Sequence, residues 1–182
     1  LDTINGPLSD AEYPVDRQTL ADLRSLAGKD PSGLVLLTLA STLQRLPVAE
    51  RGMLASELLA RETFSDDRDL PAMIWFGLMP LAESRTGELA KLALQSKSPK
   101  ATRWITRAVA LQVERDPAPL ESIVAGSLSM PREQKVEVLL GMADAFEGWR
   151  KVPAPKAWEA LASSDVADEH RDAVRELNLL FG

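Results

Sequence analysis

Few residues of this 182-residue chain are of the types that perform chemistry. It has no cysteine and one histidine, His170, which excludes thiolate chemistry, disulfides and cysteine-linked haem within the chain. A zinc site with the usual nitrogen and sulfur ligands is excluded for the same reason. The sequence around the histidine contains four acidic residues, Asp165, Asp168, Glu169 and Asp172. A histidine among carboxylates can act as a base, but acids are also favoured at a helix start, and we favour this structural interpretation.

A second acidic cluster is SDDRD at residues 65–69. Clustered carboxylates bind hard cations such as calcium, but the calcium loop of an EF-hand needs alternating ligands, a central glycine and a closing glutamate, none of which is present. The alternative is a solvated loop between helices that ends in an N-cap at Asp69. We favour the loop and predict no catalytic, metal-binding or cofactor-binding residue in this chain.

A basic row is the first candidate for an interaction surface. Lys100, Arg103 and Arg107 share one helix face at spacings of three and four residues. Lys97 precedes the row, and Trp104 lies at its edge. Such a row can bind an acidic partner or phosphate, or it can be the solvated outer face of a repeat helix.

The second candidate is the loop GWRKVPAPK at residues 148–156. It places Trp149, Arg150 and Lys151 before two prolines, and tryptophan and arginine are enriched in interface hot spots. The alternative is a long connection whose tryptophan packs back on the core. The other three tryptophans, Trp75, Trp104 and Trp158, lie on predicted helices and are expected in the core.

Composition narrows the class of protein without naming a function. Apolar residues make up 45% and charged residues 26% of the chain, which is typical of a globular domain. The net charge of −6 disfavours nucleic acid as a partner. No apolar run reaches the length of about 18 residues that predicts a membrane span. Because the chain begins at Leu1 without a methionine, we expect it to be a piece of a longer protein.

Helical periodicity dominates the chain after an N-terminal segment, residues 1–16, that we predict to be extended. Apolar residues recur at spacings of three and four, and X-Pro steps separate the periodic segments. Asp30, Ser98 and Asp116 are predicted N-caps. We predict one domain over residues 17–182, with helices at 17–27, 31–46, 48–61, 70–83, 86–96, 99–114, 118–128, 131–147, 154–163 and 166–181.

Residues 70–81 are apolar on every side of the predicted helix. A helix of this kind is typical of a protein centre, so we expect this segment to be the most buried, with Pro80 ending or kinking it.

The predicted helices also form pairs. The first members begin at residues 31, 70, 99 and 131 and the next helix near 166, spacings of 29 to 39 residues that lie near the period of helical-pair repeats. The sequence therefore predicts an all-α superhelix of HEAT/armadillo type, with one unpaired helix at each end.

Two groups of segments resemble a known family. The first group is ASTLQRLP at 40–47, DD at 66–67, DLPAMIWFG at 69–77 and PL at 80–81; the second is GM at 141–142, GWRKVP at 148–153 and LFG at 180–182. Together they resemble the HEAT-like middle region of the PVC-type haem-binding CxxCH proteins over roughly residues 30 to 182. The chain departs from that pattern at Gly52 and Met79.

The resemblance implies a large exported protein, similar to membrane-bound or sorbosone-type dehydrogenases, with a β-propeller before this region and a cytochrome c domain after it. Haem would be held elsewhere in that parent, because the CxxCH motif has no match here. The implied role is a non-catalytic scaffold between the two domains, in the periplasm or otherwise outside the cytoplasm. A free-standing adaptor that binds a protein or peptide is the alternative, and a helical enzyme ranks last.

The last predicted helix leads to a further expectation. Val174, Leu177, Leu180 and Phe181 have no following helix to cover them, so we expect an exposed apolar patch there and weak self-association. We expect the N-terminal end to be less exposed, because residues 1–16 can fold back over the first helix.

Overall fold

A computed structural model describes residues 15–166 and 169–182, and over these ranges the protein is all-α, without a strand. This confirms the all-α part of the predicted fold class; the HEAT/armadillo superhelix stays a prediction. Val15 and Asp16 are non-helical as predicted, whereas the rest of the segment 1–16 lies outside the described residues. The described ranges contain α1 (Arg17–Lys29), α2 (Gly33–Thr42), α3 (Val48–Leu59), α4 (Leu70–Leu78), α5 (Leu81–Ser84), α6 (Thr86–Gln95), α7 (Pro99–Ala110), α8 (Ala118–Ser127), α9 (Arg132–Phe146), α10 (Trp158–Ala162) and α11 (Arg171–Phe181), with 3₁₀ turns at Leu43–Arg45 and Glu62–Phe64.

The polar residues at helix starts act as caps, although not always at the predicted position. Ser98 is the N-cap of α7 as predicted. Asp30 instead ends α1, and its carboxylate accepts the backbone N–H of Ser32, the actual N-cap of α2, at 2.8 Å. Asp116 likewise precedes the N-cap of α8, which is Pro117. At both sites the helix begins after the proline, at Gly33 and Ala118, so the aspartate lies before the N-cap position.

The helices pack in two layers. The first layer contains α1, α3, α6, α8 and α10, and the second contains α2, α4, α7, α9 and α11. Along each layer, every helix packs against the next one, and the buried apolar side chains form one core cluster. Successive helix pairs therefore add one helix to each layer, with the short α5 as an insertion after α4.

Polar contacts between successive helix pairs span different separations, such as 26 positions for Arg51–Gly77 and 41 for Arg103–Asp144. Several lie within the spacings of 29 to 39 residues that the sequence predicts. Four such contacts are Arg24–Glu57, Arg61–Gly28, Thr102–Gln134 and Arg132–Asp165, between residues 33, 33, 32 and 33 positions apart.

The segment 70–81 is less buried than its composition predicts. Pro80 behaves as expected, since α4 ends at Leu78. However, Phe76 is 52% exposed and Met79 is 48% exposed, so the expectation of the most buried segment is wrong. α4 packs against α2, α3 and α7 but lies in an outer layer, which leaves one side of the helix open.

The apolar stripe of α11 is also placed differently from the expectation. Leu177 is fully buried, and Val174, Leu180 and Phe181 are half-buried. The ring of Phe181 packs edge-on against Trp158, with centroids 4.9 Å apart. The expected exposed patch of these four residues is therefore wrong. The expectation that residues 1–16 cover the first helix falls largely outside the described residues.

The most extensive helix contact joins α7 and α9. At its centre is Gly141, where a Cβ atom would lie 2.7 Å from the carbonyl oxygen of Arg103 and 2.9 Å from Cβ of Thr106. Only glycine permits this approach. Hydrogen bonds join the two helices on either side of this glycine. The Thr102 hydroxyl donates to Gln134 Oε1 at 2.8 Å, and Arg103 donates two hydrogen bonds to the carboxylate of Asp144.

We predict that Gly141→Ala destabilises the protein by about 1–3 kcal/mol, because the added methyl group must push α7 and α9 apart. The measurement is chemical denaturation followed by circular dichroism. Gly87→Ala is the matched control, since nothing lies within 4 Å of a Cβ there, and it should raise stability by up to about 1 kcal/mol. Equal stability of both variants would show that the close contact is absent.

Candidate interaction face

Each helix of the second layer carries exposed or half-exposed residues, which together we call the second-layer face. This second-layer face consists of Leu34, Leu37, Thr38 and Ser41 on α2; Asp69, Ala72, Met73 and Phe76 on α4; Lys100, Arg103 and Arg107 on α7; Glu137, Leu140 and Asp144 on α9; and Glu176 and Leu179 on α11. The α2 and α4 end is largely apolar, whereas the α7 to α11 end carries charges of both signs.

A groove of about 480 Å³ separates α2 and α4. Its walls are Leu37, Thr38 and Ser41 on one side and Ala72, Met73 and Phe76 on the other, with Asp69 at one end. Leu34, one turn before Thr38, is 75% exposed. We call this feature the α2–α4 groove. The sequence analysis missed it, although the all-round apolar character of α4 was a signal that one side of this helix is available for contact.

The spacing of the two walls is fixed at the end of the groove away from Asp69. A Cβ at Gly77 of α4 would lie 2.4 Å from Cβ of Leu43, so the chain after α2 approaches α4 closely. Arg51 of α3 donates to the carbonyl oxygens of Leu46 and Gly77 at 2.9 and 3.0 Å. The groove is thus a preformed feature of the packing.

The loop 65–69 leads into α4 and is held by one aspartate. The Asp67 carboxylate accepts the backbone N–H groups of Leu70 and Asp69 at 2.7 and 2.9 Å. These hydrogen bonds, that of Leu70 first, lower the pKa of Asp67. Asp69 is the N-cap residue, as expected, but its own side chain makes no capping bond. In the described part of the chain, no three acidic or histidine side chains are grouped as a metal site would require.

We predict that Asp67→Ala destabilises the protein by about 1 kcal/mol, the usual effect of losing a capping carboxylate. Asp69→Ala is the control and should change stability by much less. Thermal unfolding at neutral pH distinguishes the two. The difference between Asp67→Ala and the parent should shrink in acid, because the stabilising carboxylate has a lowered pKa and its contribution is lost as the pH falls through that value.

The basic row of α7 is interrupted by an ion pair. Lys100 and Arg107 are exposed, but the Arg103 guanidinium binds both oxygens of Asp144 on α9, at 2.7 and 2.9 Å. Lys97 Nζ lies 3.4 Å from Glu62 Oε1, in the loop after α3. Only Lys100 and Arg107 of the row are therefore exposed cations, and the Arg103–Asp144 ion pair lies between them.

The same bridge influences a neighbouring carboxyl group on α9. Burial, and then the negative charge of Asp144, raise the pKa of Glu137, while Arg103 and His170 act in the opposite direction. The Asp144 carboxylate in turn raises the pKa of Arg103 through their hydrogen bonds. Glu137 is thus a partly buried carboxyl group that holds its proton more tightly in the folded protein than in the unfolded chain.

We predict that Glu137→Gln raises the free energy of unfolding at pH 7. A raised pKa favours the folded state fully below the ordinary value of 4.5, and this contribution is lost as the pH rises through the folded-state value. The gain should therefore shrink below pH 4.5 and be largest at neutral pH. Urea denaturation over a pH series measures it, and the exposed Glu133→Gln on the same helix should show no gain.

The acidic residues around His170 form ion pairs with α9. His170 is the N-cap residue of α11. Glu169 pairs with Arg132 at 2.8 Å and Asp165 pairs with Lys135 at 3.1 Å, so both carboxylates connect the chain between α10 and α11 to the start of α9. Asp168 lies outside the described residues.

The loop 148–156 packs back on the core, as its second interpretation predicts. Gly148 has a positive φ of 80°, which turns the chain directly after α9. The Trp149 ring lies 5.5 Å from that of Phe146 and is half-buried. Arg150 and Lys151 are exposed and remain predicted contact residues. A second cleft, of about 450 Å³, lies beside this loop between α9 and α11.

Of the remaining predicted core tryptophans, Trp158 is buried, while Trp75 and Trp104 are half-buried. No helix in the described ranges combines the length and the apolar character of a membrane span. A comparison of the chain with protein-family models, curated proteins and solved structures finds no match.

Proposed function

We propose that this chain is a non-catalytic helical-repeat scaffold of HEAT/armadillo type that connects domains of a larger exported redox protein. The observation that carries the proposal is the two-layer stack of helix pairs across the region of the family resemblance. In a repeat array each unit contacts only its neighbours, which leaves long outer faces for other domains. A scaffold needs this combination of internal rigidity and free surface.

The proposed parent carries a dehydrogenase domain before this region and a cytochrome c domain after it, as the resemblance implies. The haem belongs to the cytochrome domain, because this chain has no cysteine for covalent attachment. Fixed polar contacts between successive units, such as Thr102 with Gln134, would hold the two redox domains at a defined separation. Arg150 and Lys151 are exposed beside the last helices, where a following domain could contact them.

A free-standing adaptor is the second candidate, and the α2–α4 groove favours it. An exposed apolar groove on a rigid helical face is a common feature of helix- or peptide-binding proteins. The two candidates differ in the length of the natural polypeptide and in whether haem is part of it.

The test is to isolate the natural polypeptide from its source with an antibody against this chain. We expect a protein much larger than 19.9 kDa that carries covalent haem, measured by haem staining and the pyridine haemochrome spectrum, and that fractionates outside the cytoplasm. A haem-free polypeptide of about the size of this chain would contradict the scaffold between redox domains and favour the adaptor.

A further inference from the structure

We propose that the α2–α4 groove binds an amphipathic α-helix of a partner domain or protein, with a cationic residue of that helix beside Asp69. This inference deepens the proposed function, because it names the kind of partner that the interaction module takes. It depends on the shape of the groove, on its polar lining and on its charge.

The shape of the groove fits a helix. Its two walls are neighbouring helices, and the outward residues on each recur with helical spacing. On α2 these are the lining residues 38 and 41, with the exposed Leu34 one turn before them, and on the α4 side they are 69, 73 and 76. Each wall therefore extends about 10 Å, or two helical turns. A third helix can place its ridge between these two, with apolar anchors at i, i+3 or i+4, and i+7.

The polar lining disfavours an extended peptide. An extended backbone leaves its N–H and C=O groups unpaired, and a groove that binds one must supply partners for them. Here the hydroxyls of Thr38 and Ser41 already donate to carbonyl oxygens of their own helix, both at 2.8 Å. The other wall residues are apolar, apart from Asp69 at the end. A helix satisfies its own backbone and needs no such partners.

The charge at the end of the groove selects a cation. The loop 65–69 contains three aspartates against one arginine. Lys100 of α7 lies near enough to Asp67 to contribute to the lowering of its pKa, which leaves Asp66 and Asp69 as the other two acidic groups of the loop. Oδ1 of Asp69 lies 3.8 Å from Nε of Arg68. The side chains of both residues are largely exposed, so this ion pair is weak. The carboxylate of Asp69 makes no capping bond and is available to a lysine or arginine from a partner helix.

A second copy of the chain does not offer such a helix among the described residues. Apart from the groove and Met79 beside it, the large apolar side chains that are exposed lie on, or directly after, five different helices: Leu26, Met53, Leu111, Leu128 and Leu179. No described helix outside the groove presents the three successive anchors that the groove requires. The occupant is therefore a helix from another domain or protein.

The experiment uses the full chain and a fluorescein-labelled synthetic peptide of about 15 residues. The peptide carries leucines at helical spacing and a terminal lysine, and a second peptide of equal composition is interrupted by proline. Binding is measured by fluorescence anisotropy. We expect the helical peptide to bind and the proline peptide to bind at least about tenfold more weakly.

Three variants locate the site, and a fourth is the control. Leu34→Glu and Phe76→Glu should each weaken binding about tenfold or more. Leu179→Glu is the matched control, because Leu179 is 74% exposed and Leu34 is 75% exposed, and it should leave binding unchanged. Asp69→Lys should weaken binding of the lysine-ended peptide and strengthen that of a glutamate-ended one. Circular dichroism checks that each variant is folded, which these exposed positions favour.

Four results would overturn the proposal. These are no binding, equal binding of the proline peptide, equal loss in Leu179→Glu, and a dimer of the chain alone that Phe76→Glu abolishes in sedimentation. The last would assign the groove to a second copy. These results test the groove separately from the proposed function. If the natural polypeptide carries haem but the groove binds no helix, the scaffold proposal stands and the groove proposal fails. If the natural polypeptide is short and haem-free but binds a helix, only the groove proposal stands.

Discussion

The close approach of α7 and α9 at Gly141 is the contact on which the arrangement of the two layers depends. Here the backbones of the two helices are in contact, because the carbonyl oxygen of Arg103 lies 2.7 Å from the position that a Cβ atom of residue 141 would occupy. Close-packed interiors transmit such a constraint, because their elements cannot shift independently. α7 also packs against α4 and α6, and α9 against α8 and α11. The distance between these two helices therefore fixes the position of helices on both sides.

The same contact determines the electrostatics of the outer face. It brings Arg103 onto Asp144, where the bidentate hydrogen bonds occupy the cation that would otherwise continue the basic row. The neighbouring Glu137 becomes partly desolvated as a consequence of that packing. At this end of the face, opposite charges neutralise each other between helices. The unpartnered surface lies at the other end, in the α2–α4 groove, where Leu34 and Phe76 are exposed.

Periodicity and proline positions predicted the helices well, because both act within one segment. Pro80 ends α4 whatever surrounds it, since it lacks a backbone N–H and restricts the residue before it. Burial was harder, because it depends on neighbours that a local pattern does not specify. Phe76 lies on an apolar helix with an open side, and Phe181 lies on a terminal helix that Trp158 covers. The sequence thus predicts which residues share one face of a helix, but not which other part of the chain packs against that face. The capping carboxylate was missed for a local reason: Asp67 accepts the backbone N–H groups of Asp69 and Leu70, whereas the side chain of Asp69, the N-cap residue, makes no capping bond.

The exposed apolar residues of α4 raise the question of how such a surface remains available. An apolar groove on a protein surface promotes self-association unless something opposes it. The chain carries a net charge of −6, and three aspartates lie in the loop at the end of the groove. Copies that approach with these loops together repel each other within a Debye length of about 10 Å, whereas a cationic helix is attracted by the same charges. The acidic loop, which we interpret from the sequence as a solvated connection rather than a metal site, then selects what enters the groove.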